Sequence, residues 1–175
     1  IQHNNFVFRE MDLLDREKLN NLFSSSKFDL IYHLAANTDV RIGVTNTDLD
    51  LNNNVIATFN ILDCMRRFGP QKILFTSSPT VFGYKEGPLK EDMSANPESL
   101  YGASKLAAEI FMTTFSNLYG IQCWILRLSN IVGSRATHGI IYDFIRKLEK
   151  DDKYLEILGD GNQNKPYMHI SELIK

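Results

Sequence analysis

The stretch "DLIYHLAA", residues 29–36, decides the fold. It is apolar almost throughout, and a short run of that kind suits a strand covered on both faces, as in a parallel sheet. On its N-terminal side, Phe6 to Met11 reads as another strand, followed by Asp15 as the N-cap of a helix whose apolar positions include Leu19, Leu22 and Phe23. On its C-terminal side, a longer helix begins near Leu51, carries Val55, Phe59 and Leu62 on one stripe, and stops at Gly69-Pro70. "KILFTSS" (72–78) is the third strand. A polar loop rich in Pro, Gly and Glu follows through Pro97, then a helix from Ser99 to Gly120, and "QCWILRL" (122–128) as the fourth strand. Beyond it lie a loop, a helix around Ile140 to Lys150, the strand-like "YLEIL" (154–158), the segment "PYMHI" (166–170) and an N-cap at Ser171. Strands and helices alternating at this spacing predict βαβ units: an α/β chain with a parallel sheet and helices on both faces.

Composition sets bounds on the function. The chain has 175 residues, of which 43% are hydrophobic and 23% charged, which suits one globular domain with a real core and argues against disorder. A formal charge of −2, with lysines and arginines scattered singly, offers neither a basic face for nucleic acid nor a polybasic membrane patch. No apolar run approaches a membrane span and no signal-peptide pattern opens the sequence, so the chain reads as cytoplasmic. Cys64 and Cys123 lie in helical and strand-like surroundings without metal-ligand spacing and read as buried, reduced thiols. The four histidines share no metal spacing, and no metal is expected. His33 reads as a satisfied core histidine and His169 as structural.

In open parallel sheets, ligands bind at the carboxyl ends of the strands. Three segments rich in small or hydroxyl-bearing residues follow strands here: "LAAN", "TSSPTVFG" and "LSNIVG". The helix after the polar loop opens with "SLYGASKLAAE" (99–109), in which Tyr101 precedes Lys105 by one turn. A free phenol with a pKa near 10 is phenolate in only roughly one molecule in a thousand at pH 7. An ammonium on the same helical face favours the charged form, so the pair has the makings of an acid/base device. Ser77 and Ser78 close the preceding strand, where a hydroxyl reaches the same edge.

Taken in order, "TSSPTVFG", "YGASK", "LRLSNIVGSR" and "ILGDGNQNKPYMHI" resemble the extended short-chain dehydrogenase/reductases, the NAD-dependent epimerase/dehydratase family acting on nucleotide sugars. That resemblance implies a Rossmann-like, doubly wound parallel sheet with part of a smaller substrate lobe. Residues 1–130 would form a partial NAD-binding domain carrying the catalytic residues, and 131–175 the start of the nucleotide-sugar-binding portion. It implies Tyr101 as general acid/base, Lys105 lowering its pKa and holding the nicotinamide ribose, and Ser78 bonding the reacting sugar hydroxyl. Asp12 and Leu13 would contact the adenine, and Ala35 and Ala36 would let the backbone approach the cofactor's phosphates and ribose. Ser77 and Asn54 complete the implied cofactor set, and Thr80, Asn130 and Lys165 join Ser78 on the nucleotide-sugar side. His138 falls in a loop that borders the nucleotide in the family. The implied cofactor is NAD, with NADP still open, and the implied partners are a nucleotide-diphosphate sugar of the UDP type and a second copy of the chain in a four-helix homodimer interface.

The chemistry implied is proton removal by Tyr101 with hydride transfer to NAD, giving a keto sugar. Dehydratases of the family follow the catalytic hydroxyl with an Asp-Glu pair; here Pro79 and Thr80 stand there, so elimination is disfavoured and a 4-epimerase is favoured over a 4,6-dehydratase or reductase. The family's glycine-rich phosphate loop is not in this sequence, and Gly159 to Gly161 belongs to a turn. The sequence therefore reads as an interior segment of a longer enzyme. The alternative from a different class is a non-catalytic fragment that survives by self-association through an unpaired apolar edge.

Overall fold

The computed structural model describes residues 5–137 and 139–175, and its chain divides into two compact units, one running to Arg127 and the other from Leu128 to Lys175. His138 lies outside the described residues.

The first unit is built on a three-stranded parallel sheet, β1 (Ile31–His33), β2 (Lys72–Ser77) and β3 (Gln122–Arg127), in that spatial order. Ile31 stands opposite Ile73 and His33 opposite Phe75, while Ile73 faces Cys123 and Ser77 faces Arg127. Helix α1 (Arg16–Ser25) starts where Asp15 accepts a hydrogen bond from the Lys18 amide at 3.1 Å. Between β1 and β2 come two single turns, α2 (Ile42–Thr45) and α3 (Thr47–Asp50), then a π-helical turn over Leu51–Ile56 and α4 (Ala57–Phe68). Gly69, with φ 115°, ends α4 in the left-handed conformation that a residue with a Cβ resists. After a short 3₁₀ turn at Pro79–Phe82 and the polar loop, α5 (Leu100–Tyr119) begins at the Ser99 cap and ends at Gly120.

One face of the sheet carries the core. Ile73 and Phe75 of β2 meet Leu19 and Phe23 of α1, Leu62 and Met65 of α4, and Met112 and Phe115 of α5. Leu62, Met65, Ile73 and Met112 are completely buried. Phe59 joins α4 to α5 through edge-on contacts with Phe111 and Phe115.

The second unit holds β4 (Asn130–Val132) paired in parallel with β5 (Tyr167–His169), the amphipathic α6 (Ile140–Lys150) and a final turn, α7 (Ile170–Leu173). No described helix is long and apolar enough to cross a membrane.

The α/β class with parallel strands is as the alternation predicts, but five local expectations are corrected. Phe6 to Met11 is not a strand: no described residue pairs with it, and Phe6, Val7 and Phe8 are exposed. Residues 29–36 give a three-residue strand whose Tyr32 is 63% exposed, because among the described residues only the His33 side of it is covered. "YLEIL" has the apolar alternation of a strand but no ladder partner, whereas Asn130–Val132, read as loop, finds one in Tyr167–His169. The last helix is capped by His169, whose Nδ1 accepts from the Ser171 amide, rather than by Ser171 itself.

His33 is buried at 2% exposure and stacks on Phe75. The Thr58 hydroxyl donates to the Asn54 carbonyl at 2.5 Å, so its oxygen accepts from His33 Nε2 at 2.8 Å and fixes the tautomer. Burial, with the Lys105 charge adding to it, pulls the imidazole pKa from 6.5 to about 4. The unfolded chain therefore takes up a proton below pH 6.5 that the folded chain refuses until about pH 4. Stability present above pH 6.5 is lost across that window, with a full loss on the order of 3 kcal/mol. Melting curves from pH 8 to pH 4 will show this loss in the native chain and a flatter profile in His33→Gln; parallel profiles would refute the assignment.

Candidate functional site

The carboxyl edge of β2 and the first two turns of α5 bring the hydroxyl and ammonium groups together. Ser78 directly follows β2 in extended conformation and caps the 3₁₀ turn, with its Oγ accepting from the Thr80 amide at 3.3 Å and the Thr80 hydroxyl at 3.0 Å. α5 approaches this turn closely because Gly102 has no side chain: a Cβ there would sit 2.7 Å from the Thr80 carbonyl oxygen. That approach sets Tyr101, half-buried, in the neighbourhood of Ser78, whose hydroxyl lowers the phenol's pKa.

Lys105 is 2% exposed. Its Nζ donates to the Thr76 carbonyl at 2.9 Å, lies 4.7 Å from the centre of the Phe75 ring and 5.9 Å from that of Tyr101. Burial pulls its pKa from 10.5 down to about 8, against the raising influence of Asp50. The Tyr101 phenol, in turn, is pushed up by burial; the Ser78 hydrogen bond lowers it and the Asp50 charge raises it. The i,i+4 spacing does set both side chains on one face, but the ammonium turns to a sheet carbonyl and desolvation of the phenol dominates.

The other expected cofactor residues occupy distinct places. Ala35, exposed, and Ala36, half-buried, lead out of β1 at the same carboxyl edge, where small side chains leave backbone open. Asp12 is exposed and its carboxylate accepts from the Leu14 amide at 2.9 Å, while Leu13 packs against the core and its carbonyl accepts from Asn60. Asn54 is 1% exposed and its amide is spent on protein partners: Oδ1 accepts from the Asn37 amide, and Nδ2 is shared among the Asn37 carbonyl, Asp50 and Ser104. It joins the segment after β1 to α5 and the end of α3. Ser77 is also committed, donating to Glu109 at 2.5 Å. In the second unit, Asn130 on β4 donates to the Pro166 carbonyl at 3.0 Å, beside the exposed Lys165.

Several structural partners of this site escaped the sequence reading. Glu109, one turn beyond Lys105 on α5, is 5% exposed and receives Arg127 in a two-pronged contact, Nη2 at 2.7 Å and Nε at 3.0 Å. Arg127 also covers the Phe82 ring at 4.6 Å and donates to the Glu91 carbonyl at 3.2 Å, so one guanidinium holds β3, α5, the 3₁₀ turn and the polar loop. The 101–105–109 spacing was the available signal, since a third chemistry-bearing residue on one helical stripe asks for a partner.

The thiols offer no competing site. Cys64 is buried and Cys123 half-buried, neither is in a disulfide, and burial pushes Cys64 up and Cys123 to about 11, away from thiolate reactivity.

Comparison with known proteins gives concordant findings. The profile of the "NAD dependent epimerase/dehydratase family" matches residues 2–175. A UDP-glucose 4-epimerase of Mycolicibacterium smegmatis is 30% identical over 97% of this chain and 55% of its own. Among solved structures, UDP-glucose 4-epimerase from Thermotoga maritima, crystallised with UDP-glucose, has a TM-score of 0.90 at 26% identity, covering 99% of this chain and 58% of that one. UDP-glucuronic acid 4-epimerase from Bacillus cereus, in complex with UDP-glucuronic acid and NAD, has a TM-score of 0.81 at 29% identity, covering 94% and 52%. The chain spans about half the length of the curated relatives it matches.

Breaking the Glu109–Arg127 pair from the carboxylate side leaves a guanidinium without its partner and Ser77 without its acceptor. Glu109→Ala is expected to lower unfolding free energy in urea by about 3 kcal/mol. A loss below about 1 kcal/mol, the range of an exposed pair, would show that the contact is not holding these elements.

Proposed function

The chain belongs to the NAD dependent epimerase/dehydratase family, and from that premise we propose that it carries the acid/base centre of a nucleotide-sugar 4-epimerase. Support comes first from the meeting of Ser78 and Tyr101 at the carboxyl edge of β2, with Lys105 buried behind them. In this reading the Tyr101 oxygen removes and returns the proton of the sugar hydroxyl, and Ser78 orients that hydroxyl and the developing carbonyl. Relatives named for UDP-sugars favour a UDP-sugar as substrate. Thr80 lies beside Ser78, and Asn130 and Lys165 are proposed for the diphosphate.

The residues present fit NAD. Lys105 commits one of its three ammonium protons to Thr76, leaving donors for ribose hydroxyls, and Ala35 and Ala36 present little bulk at the neighbouring strand end. When bound, NAD supplies the acceptor and donor for hydride. A bound NAD ribose would offer Lys105 hydroxyl partners in addition to the Thr76 carbonyl. Pro79 and Thr80 provide no carboxyl group for elimination, which favours epimerisation over 4,6-dehydration. A homodimer is proposed on the family resemblance. Exposed Phe6, Val7 and Phe8 also favour a second reading, self-association of a non-catalytic chain.

Calorimetric titration of NAD, alone and with UDP-glucose, separates these readings. The epimerase reading expects saturable binding, retained in Tyr101→Phe, with interconversion of UDP-glucose and UDP-galactose at least about a hundredfold slower in the variant. No binding up to millimolar NAD, or undiminished turnover without the phenol, would overturn it.

A further inference from the structure

Asp50, at the end of α3, is 1% exposed and has no ion-pair partner among the described residues. Its Oδ1 accepts from Asn37 Nδ2 at 2.8 Å and from Asn54 Nδ2 at 3.1 Å. Asn54 Nδ2 also donates to the Ser104 hydroxyl at 2.8 Å, and that hydroxyl donates to the Tyr101 carbonyl at 2.8 Å. A continuous hydrogen-bonded path thus runs from the Asp50 carboxylate to the backbone of Tyr101, passing through the segment that leaves β1 and through the π-helical turn. Asp50 Oδ2 accepts no hydrogen bond within the protein, alone among the buried side-chain nitrogens and oxygens of the described residues. It is closed over by Gly43, where any Cβ would collide with it, next to Leu100 in the first turn of α5.

A buried carboxylate in this state is costly unless it performs a task that an amide cannot. Oδ1 needs only to accept, and an asparagine would serve both amides as well. What only the carboxylate adds is negative charge.

We infer that Asp50 is a positioning residue for the Tyr101–Lys105 pair, fixing the first turn of α5 through Asn54 and Ser104 and setting a buried carboxylate in the neighbourhood of the buried ammonium. The inference rests on the acid/base reading of that pair. Groups facing Lys105 from each packed element are few: His33 from β1, neutral above about pH 4, the Thr76 carbonyl and Phe75 ring from β2, Tyr101 on its own helix, and Asp50. Glu109 is occupied by Arg127. Asp50 is then the unpaired anion that keeps Lys105 charged against its own desolvation, and its charge also opposes loss of the Tyr101 proton. The pair is consequently held as ammonium and neutral phenol until a ligand changes the balance.

The test titrates Lys105 directly, by NMR of the chain labelled with carbon-13 at the lysine ε position, with the Lys105 signal assigned by its loss in Lys105→Met. The native midpoint is expected near 8. Asp50→Asn keeps the shape and the Oδ1 acceptor while removing the charge, and should move the midpoint down by about half a pH unit or more. Asp50→Ser, smaller and also uncharged, provides the same reading should the first variant fail to fold. Ser104→Ala, which cuts the path to Tyr101 but leaves the carboxylate, should leave the Lys105 midpoint in place and lower the melting temperature. An unchanged Lys105 midpoint in a folded Asp50 variant would overturn the inference and leave Asp50 a purely structural residue. Because this readout needs no turnover, a chain that binds no NAD would refute the proposed function without altering this result.

Discussion

The central strand β2 is hydrogen-bonded on both sides, and the rest of the first unit depends on that constraint. Parallel pairing aligns its carboxyl end with those of β1 and β3, so every loop leaving the sheet departs from one edge. The period of two along the strand then assigns the jobs: Ile73, Phe75 and Ser77 face the helices, and Thr76 offers its carbonyl at the point where Lys105 arrives. The chain spends apolar area on Ile73 and Phe75 to place polar groups at residues 76–78.

Those polar groups sit deeper than a surface site requires. Lys105, Glu109, Asp50, Asn54 and His33 are each at most 5% exposed, among buried apolar side chains such as Leu62, Met65, Ile73, Phe75 and Met112. They are tolerated because nearly every buried polar atom has at least one partner: Lys105 a sheet carbonyl and a ring face, Glu109 Ser77 and Arg127, His33 Thr58. The one exception among buried side-chain atoms of the described residues, Asp50 Oδ2, lies against Gly43 near the first turn of α5. Polar networks of this kind fix geometry more than they add stability, since each member restricts the others.

The direction of the two pKa shifts follows from the same depth. Removing water disfavours charge on both groups, so the phenol rises while the ammonium falls. Helical spacing predicts that Tyr101 and Lys105 share a face, and they do. It does not predict where the ammonium finds its acceptor, because the competing carbonyl of Thr76 lies on another element.

Local chemistry is what the sequence by itself determined. The Asp15 and Ser99 caps, the Gly69 and Gly120 stops, the strands at 72–77 and 122–127 and the long helix between them follow from side chains interacting with their own backbone over a few residues. The motif "YGASK" after "TSS" likewise set a hydroxyl, a phenol and an ammonium at one strand end and the helix that follows it. Tertiary structure alone decided what needs a distant partner: that "YLEIL" and Phe6 to Met11 find no ladder while Asn130–Val132 does, that Asn54 is consumed by Asn37 and Ser104, and that Glu109 meets Arg127. A strand or a buried charge is defined by what lies across from it, and that is settled only when the chain closes on itself.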